Sequence, residues 1–166
     1  MLKVAVVMAS DSDLPSISPA VDTLRRLQIP FTVRVISPYR TPGVARVFSL
    51  DARKDGYGVI IAAAGMAAHL AGALAANTTL PVIGIPIVNG AIGGMDALMS
   101  TVQMPAGIPV AAVAIGGAQN AALLAAQILA VADEQLAAKL ASFREELTAK
   151  VVLKDERIRA QFDENL

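Results

Sequence analysis

Short, unbroken apolar runs alternate along this chain with longer segments whose apolar residues recur at helical spacing. Val4 to Met8 is continuous and apolar, bounded by Ser10 and Asp11, as a strand covered on both faces requires. Pro15 suits the first turn of a helix, and Ile17, Val21, Leu24 and Leu27 follow at helical spacing. Phe31 to Ile36, rich in Thr, Val and Ile, predicts a second strand. Thr41 is placed to cap the next helix, with Pro42 at its first position and Val44, Val47 and Phe48 along it. The pattern then gives strands at Val59 to Ala63, Val82 to Pro86 and Val110 to Ile115, separated by helices at Met66 to Ala76 and Met95 to Gln103. From Ala118 one helix, or two in succession, runs to about Val152.

Strict alternation of strand and helix within one chain predicts an α/β three-layer sandwich with a parallel five-stranded sheet and a long C-terminal helical segment. Ligands in such folds bind beyond the carboxyl ends of the strands, near the switch in strand order. The loops to watch are Ala9 to Asp13, Ser37 to Pro42, Ala64 to Gly72 and Val88 to Asp96. They bring hydroxyls, carboxylates, one arginine and the only histidine to one sheet edge.

Composition narrows the partners. The 166 residues suit one domain, read as residues 1–152, with a charged tail at 153–166 that is either a docking arm or simply solvated. Fourteen basic and fourteen acidic side chains give no excess charge to neutralise a run of phosphates, so nucleic acid is not an expected partner. With no Cys and one His, no metal site is expected, and a reducing, cytoplasmic location is permitted. Between Tyr57 and Ala132 the only formally charged side chain is Asp96. Pro81, Pro86, Pro105 and Pro109 nevertheless cut the apolar runs below the ~20 residues of a membrane span, so the neutral middle predicts burial between subunits.

Each candidate residue has a plain and a chemical reading. Ser10, Ser12 and Asp13 before a helix serve as caps, or as a cradle of hydroxyls and free amides for a phosphate, with Asp13 accepting from sugar hydroxyls. Arg40, between two prolines, is a surface ion-pair partner or a bidentate phosphate ligand. His69, in an Ala/Gly/Leu setting, is a satisfied core imidazole or a proton carrier. Gly90, Gly93 and Gly94 lack dinucleotide-fingerprint context and no Walker lysine is present, so nucleotide hydrolysis is not indicated.

Ser10-Asp11-Ser12-Asp13, Arg40-Thr41-Pro42, Ala67-Ala68-His69-Leu70, Leu80 to Pro86, Gln103 to Val110 and Asn120 to Ala126 occur in an order that resembles the carboxyaminoimidazole ribonucleotide mutases of purine biosynthesis. The resemblance spans about residues 3 to 150 and is closer to the bacterial mutase form than to the form that fixes carbon dioxide directly. It implies a flavodoxin-like homo-octamer without metal or organic cofactor, acting on a small ribonucleotide. It further implies that Ser10, Asp13 and Arg40 hold the ribose phosphate with Ser37 nearby, that Gly65 and Leu70 line the aminoimidazole pocket, and that His69 lies at the site.

The resemblance also marks departures. The family signature reads Ser-Ala-His-Arg-Thr-Pro, with its His the principal proton carrier, whereas this chain has Ser37-Pro38-Tyr39-Arg40-Thr41-Pro42. A phenol, ordinarily titrating near ~10, donates a proton readily but is a poor base at neutral pH unless a cation lowers it. Ala9 stands where the family has Gly, and Ala71 where it has Pro. Three readings follow: a mutase in which Tyr39 or His69 moves the proton, a divergent enzyme carboxylating or decarboxylating another ribonucleotide-like heterocycle, and a non-catalytic ligand-binding paralogue.

Overall fold

The structure, a computed structural model, describes residues 1–162. Five strands, β1 (Lys3–Met8), β2 (Phe31–Val35), β3 (Tyr57–Gly65), β4 (Val82–Ile87) and β5 (Ala111–Ala112), form one sheet in the order β2-β1-β3-β4-β5. Every pairing is parallel. The helices are α1 (Leu14–Arg26), α2 (Pro42–Asp51), α3 (Leu70–Ala75), α4 (Met95–Val102), α5 (Ala118–Ala130) and α6 (Glu134–Phe162), with a 3-10 turn at Asp11–Asp13. This is the flavodoxin-like order, and its switch point lies between β1 and β3.

Side chains alternate across the sheet with the two-residue period of a strand. Val4, Val6, Met8, Ile61, Ile83 and Ile85 face a core shared with Ile17 and Leu24 of α1, the alanines of α5 and Leu136 of α6. Ala5, Val7, Ile60, Ala62 and Val82 face the opposite core, closed by Ala45 of α2, Leu70 and Leu74 of α3 and Ala97 of α4. Small side chains let these layers approach closely. A Cβ at Gly84, in the middle of β4, would stand only 2.3 Å from Cγ2 of Thr101 on α4.

Several sequence-based boundaries shift. Met66 to Ala76 is not one helix: β3 runs on to Gly65, Met66 takes a left-handed φ of 57°, and α3 begins only at Leu70. The fifth strand shrinks to two paired residues, after which Val113 N–H to Gly84 O and Gly116 N–H to Pro86 O continue the contact as separate bonds. Thr41 precedes α2 but does not cap it with its side chain; its hydroxyl donates to Ser37 O at 2.9 Å and accepts from Ser37 N–H at 3.1 Å, closing the loop on itself. The C-terminal segment is two helices. Asp133 accepts from the Leu136 amide at 3.0 Å and starts α6 afresh.

The division at residue 152 falls inside α6, which continues without interruption to Phe162; residues 163–166 of the tail lie outside the described residues. Leu136 and Phe143 of α6 are buried, and Arg26 of α1 bonds Glu146. Leu147, Val151, Ile158 and Phe162, at spacings that continue the same helix face, are exposed.

Candidate active site at the strand carboxyl ends

Four strands deliver their following loops to one cavity of about 530 Å³ at the switch point. The loop after β1 supplies Ala9, Ser10, Ser12 and Asp13; that after β2 supplies Ser37, Tyr39 and Arg40. The end of β3 supplies Gly65, Met66 and Ala67, and the loop after β4 supplies Asn89. A larger cavity of about 760 Å³ lies at the opposite, amino-terminal edge, lined by Arg53, Thr79 and Pro109 among others. There Arg53 is already bonded to Thr79 at 3.1 Å, and the edge is not where parallel sheets bind ligands.

The β1 loop is built by its own hydroxyls. Ser10 Oγ accepts from Ser12 N–H at 3.3 Å and from Ser12 Oγ–H at 2.8 Å, so the cap and the cavity wall are the same residues. Asp13 is 2% exposed, and its Oδ1 accepts from Asn89 Nδ2 at 3.0 Å, tying the β1 loop to the β4 loop. Gly65 makes that tie possible, because a Cβ there would lie 2.7 Å from both Cβ and Nδ2 of Asn89. In the β2 loop Ser37 Oγ accepts from Arg40 N–H at 3.1 Å. The Arg40 guanidinium has no ion-pair partner among the described residues and is exposed beside the cavity. An unpaired guanidinium next to two serine hydroxyls is a natural receptor for a dianionic phosphate.

Tyr39 reaches across to the β3 loop. Its hydroxyl lies 2.6 Å from the Ala67 carbonyl oxygen and within hydrogen-bonding distance of His69 Nδ1, the two rings meeting edge to face at 78°. His69 therefore adjoins the cavity through Tyr39 rather than lining it directly. Leu70 is different from expectation: its side chain is wholly buried in the core under α3 and does not line the cavity, because the turn at Met66 directs the first residue of α3 inward.

Sequence reasoning brought Ser10, Ser12, Asp13, Ser37, Tyr39, Arg40 and Gly65 to one place, and the structure brings them together. It missed Met66 and Asn89. Both lie in loops already marked for attention, Ala64 to Gly72 and Val88 to Asp96, but no feature of residue type singled either one out. Among the described residues no three His, Cys, Asp or Glu side chains converge as a metal site would require, and no helix is long and apolar enough to cross a membrane.

A family model described as AIR carboxylase matches residues 3–150. The chain belongs to the AIR carboxylase family. Relatives of the family include an N5-carboxyaminoimidazole ribonucleotide mutase of Mycobacterium tuberculosis, 49% identical over 153 residues, covering 92% of this chain and 88% of that one. A protein of the same name from Brucella melitensis is 51% identical over 150 residues, covering 89% and 93%. Another from Bacillus subtilis is 51% identical over 144 residues, covering 86% and 89%. Among solved structures, Treponema denticola PurE superposes with a TM-score of 0.86 at 26% identity, over 94% of this chain and 98% of that one.

Proposed function

We propose that this protein is a carboxyaminoimidazole ribonucleotide mutase of de novo purine biosynthesis, an isomerase that moves a carboxylate from the exocyclic amino nitrogen of the substrate to a ring carbon. The observation that carries the reading is the unpaired Arg40 guanidinium beside Ser10 and Ser12 at the switch point, in a chain about half identical to proteins of that name. In this reading Ser10, Ser12 and Arg40 take the ribose phosphate, Asp13 and Ser37 shape and hydrogen-bond the sugar side, and Gly65 leaves room for the heterocycle. Leu70 acts from beneath, by fixing the start of α3. The N–C bond to the carboxylate breaks, carbon dioxide is held in the cavity, and the ring carbon of aminoimidazole ribonucleotide attacks it. The amino nitrogen gains a proton as its bond to the carboxylate breaks, and the ring carbon loses one after it attacks, so both transfers demand a positioned acid/base, Tyr39 or His69. No metal or organic cofactor enters this scheme.

Association as a homo-octamer in the cytoplasm completes the reading. Its support is the apolar surface one chain leaves uncovered: Val44, Val47 and Leu50 on α2, Ile92, Met95 and Met99 around α4, and the free stripe of α6.

A second reading draws on Tyr39. Where its relatives are expected to carry His, this chain has a phenol already engaged by Ala67 and His69, which favours a divergent substrate or a binding role over unaltered chemistry. An absorbance assay of mutase conversion and of product decarboxylation, run on the native protein beside Tyr39→His, separates these. Native turnover establishes the mutase. Turnover only in Tyr39→His means that the pocket binds the ligand and lacks its acid/base, and silence from both sends the search to another heterocycle.

A further inference from the structure

The contacts of Tyr39 and His69 determine where the protons of this pair reside. A carbonyl oxygen only accepts, so the 2.6 Å contact between Tyr39 Oη and Ala67 O requires the phenol proton to lie between them. The phenol has no second proton. Its contact with His69 Nδ1 is then a hydrogen bond only if Nδ1 carries the proton and donates to the phenol oxygen. The Ala67 oxygen also accepts from the His69 backbone N–H at 2.9 Å, which fills its two lone-pair directions. The chain thus closes a ring from His69 Nδ1–H to Tyr39 O–H to Ala67 O and back to the His69 amide. Within that ring the one nitrogen left with an uncommitted lone pair is Nε2 of His69.

We infer that Tyr39 is a positioning residue that holds His69 in the Nδ1–H tautomer and so leaves Nε2 as the one ring nitrogen free to accept a proton. The tautomer of an imidazole is set by the bond its other nitrogen makes, and a free imidazole favours the opposite one. When Nε2 takes a proton, the resulting imidazolium keeps its Nδ1–H bond to the phenol, whose proton stays on Ala67. No proton has to travel through Tyr39, so a phenol can replace a base at position 39 without itself acting as one. The inference rests on the mutase reading only for the identity of the proton that Nε2 moves.

His69 is the only histidine of the chain, which makes the test direct. Long-range 15N–1H correlation spectra of the uniformly labelled full chain, recorded above the ordinary imidazole titration range, report one ring. The expected spectrum shows Nδ1 protonated and Nε2 bare. In Tyr39→Phe the acceptor is gone, and the ring reverts to Nε2–H or to a mixture. A native Nε2–H tautomer, or a Tyr39→Phe ring that keeps Nδ1–H, would overturn the inference, and the native spectrum decides even if the variant does not fold. In the mutase assay Tyr39→Phe is expected to lower kcat by about 100-fold through misorientation of the base, with KM changed by less than about twofold; an unchanged kcat would also overturn it. Absence of native turnover would refute the mutase reading instead, and would leave the spectra to decide the tautomer.

Discussion

Gly65→Ala isolates the link between the β1 and β4 loops on which the cavity depends. The backbone at Gly65 does not need glycine's positive φ, so the cost of a methyl there comes from contact alone. The new Cβ would stand 2.7 Å from Cβ and Nδ2 of Asn89, while carbon atoms rest at about 3.5–4.0 Å. Asn89 must therefore withdraw by roughly 0.8 Å. Its 3.0 Å bond to Asp13 Oδ1 would stretch to about 3.8 Å, beyond hydrogen-bond range. Orphaning a buried carboxyl oxygen costs about 1–3 kcal/mol and crowding a packed site about as much, so a loss of about 2–6 kcal/mol is expected. Urea unfolding at one fixed protein concentration measures it, since association shifts the midpoint. The decisive comparison uses Asn89→Gly, which removes both the opposing Cβ and the amide. In that background Gly65→Ala should cost at least about 1 kcal/mol less than in the native chain. Equal costs in the two backgrounds, within about 0.5 kcal/mol, would refute the argument from contact.

Two further outcomes follow from the charged groups. Arg40→Ala should weaken binding of aminoimidazole ribonucleotide by about 10–100-fold without loss of fold, and Arg40→Lys should recover only part of it, because a point charge does not reproduce a planar fork; calorimetry reading equal affinities for all three would remove Arg40 from the phosphate site. On the other side of the molecule, the Arg26 hydrogen bond to Glu146 outweighs the opposing effect of burial and, with the charges of Arg26 and Lys150, holds that carboxyl below its ordinary range. The folded-state value is the depressed one, so the contact's stabilisation is present above the ordinary glutamate range and fades as pH falls through the lowered value. A carbon-13 titration of Glu146 should move up to ordinary behaviour in Arg26→Ala, and an unmoved curve would contradict the pairing.

The alternation of apolar runs and helical spacing carried the three layers, because burial on both faces leaves the inner strands β1, β3 and β4 almost no polar positions. The same rule placed the site, since every loop after a strand ends at one edge. What it could not carry were meetings between distant parts of the chain. Asp13 and Asn89 are 76 residues apart, and Tyr39 and His69 are 30 apart, so neither pairing leaves a local trace. Leu70 failed for a related reason: its neighbours in sequence border the cavity, but a left-handed turn at Met66 separates their fate from its own. Val110 to Ile115 has the composition of a strand, yet a ladder needs a partner in register, and β4 offers one for only two residues.

That brevity of β5 bears on how little edge this apolar chain offers to ladder growth. A sheet with free backbone donors and acceptors along its rim is a template for ladder growth by another chain. Here one rim is two residues long and preceded by Pro109, which has no amide hydrogen to offer, and the other, β2, carries the charge of Arg34 among its exposed positions. Neither rim invites open-ended addition. Any attraction between copies is left to side chains on the helical faces, where shape decides which contacts form.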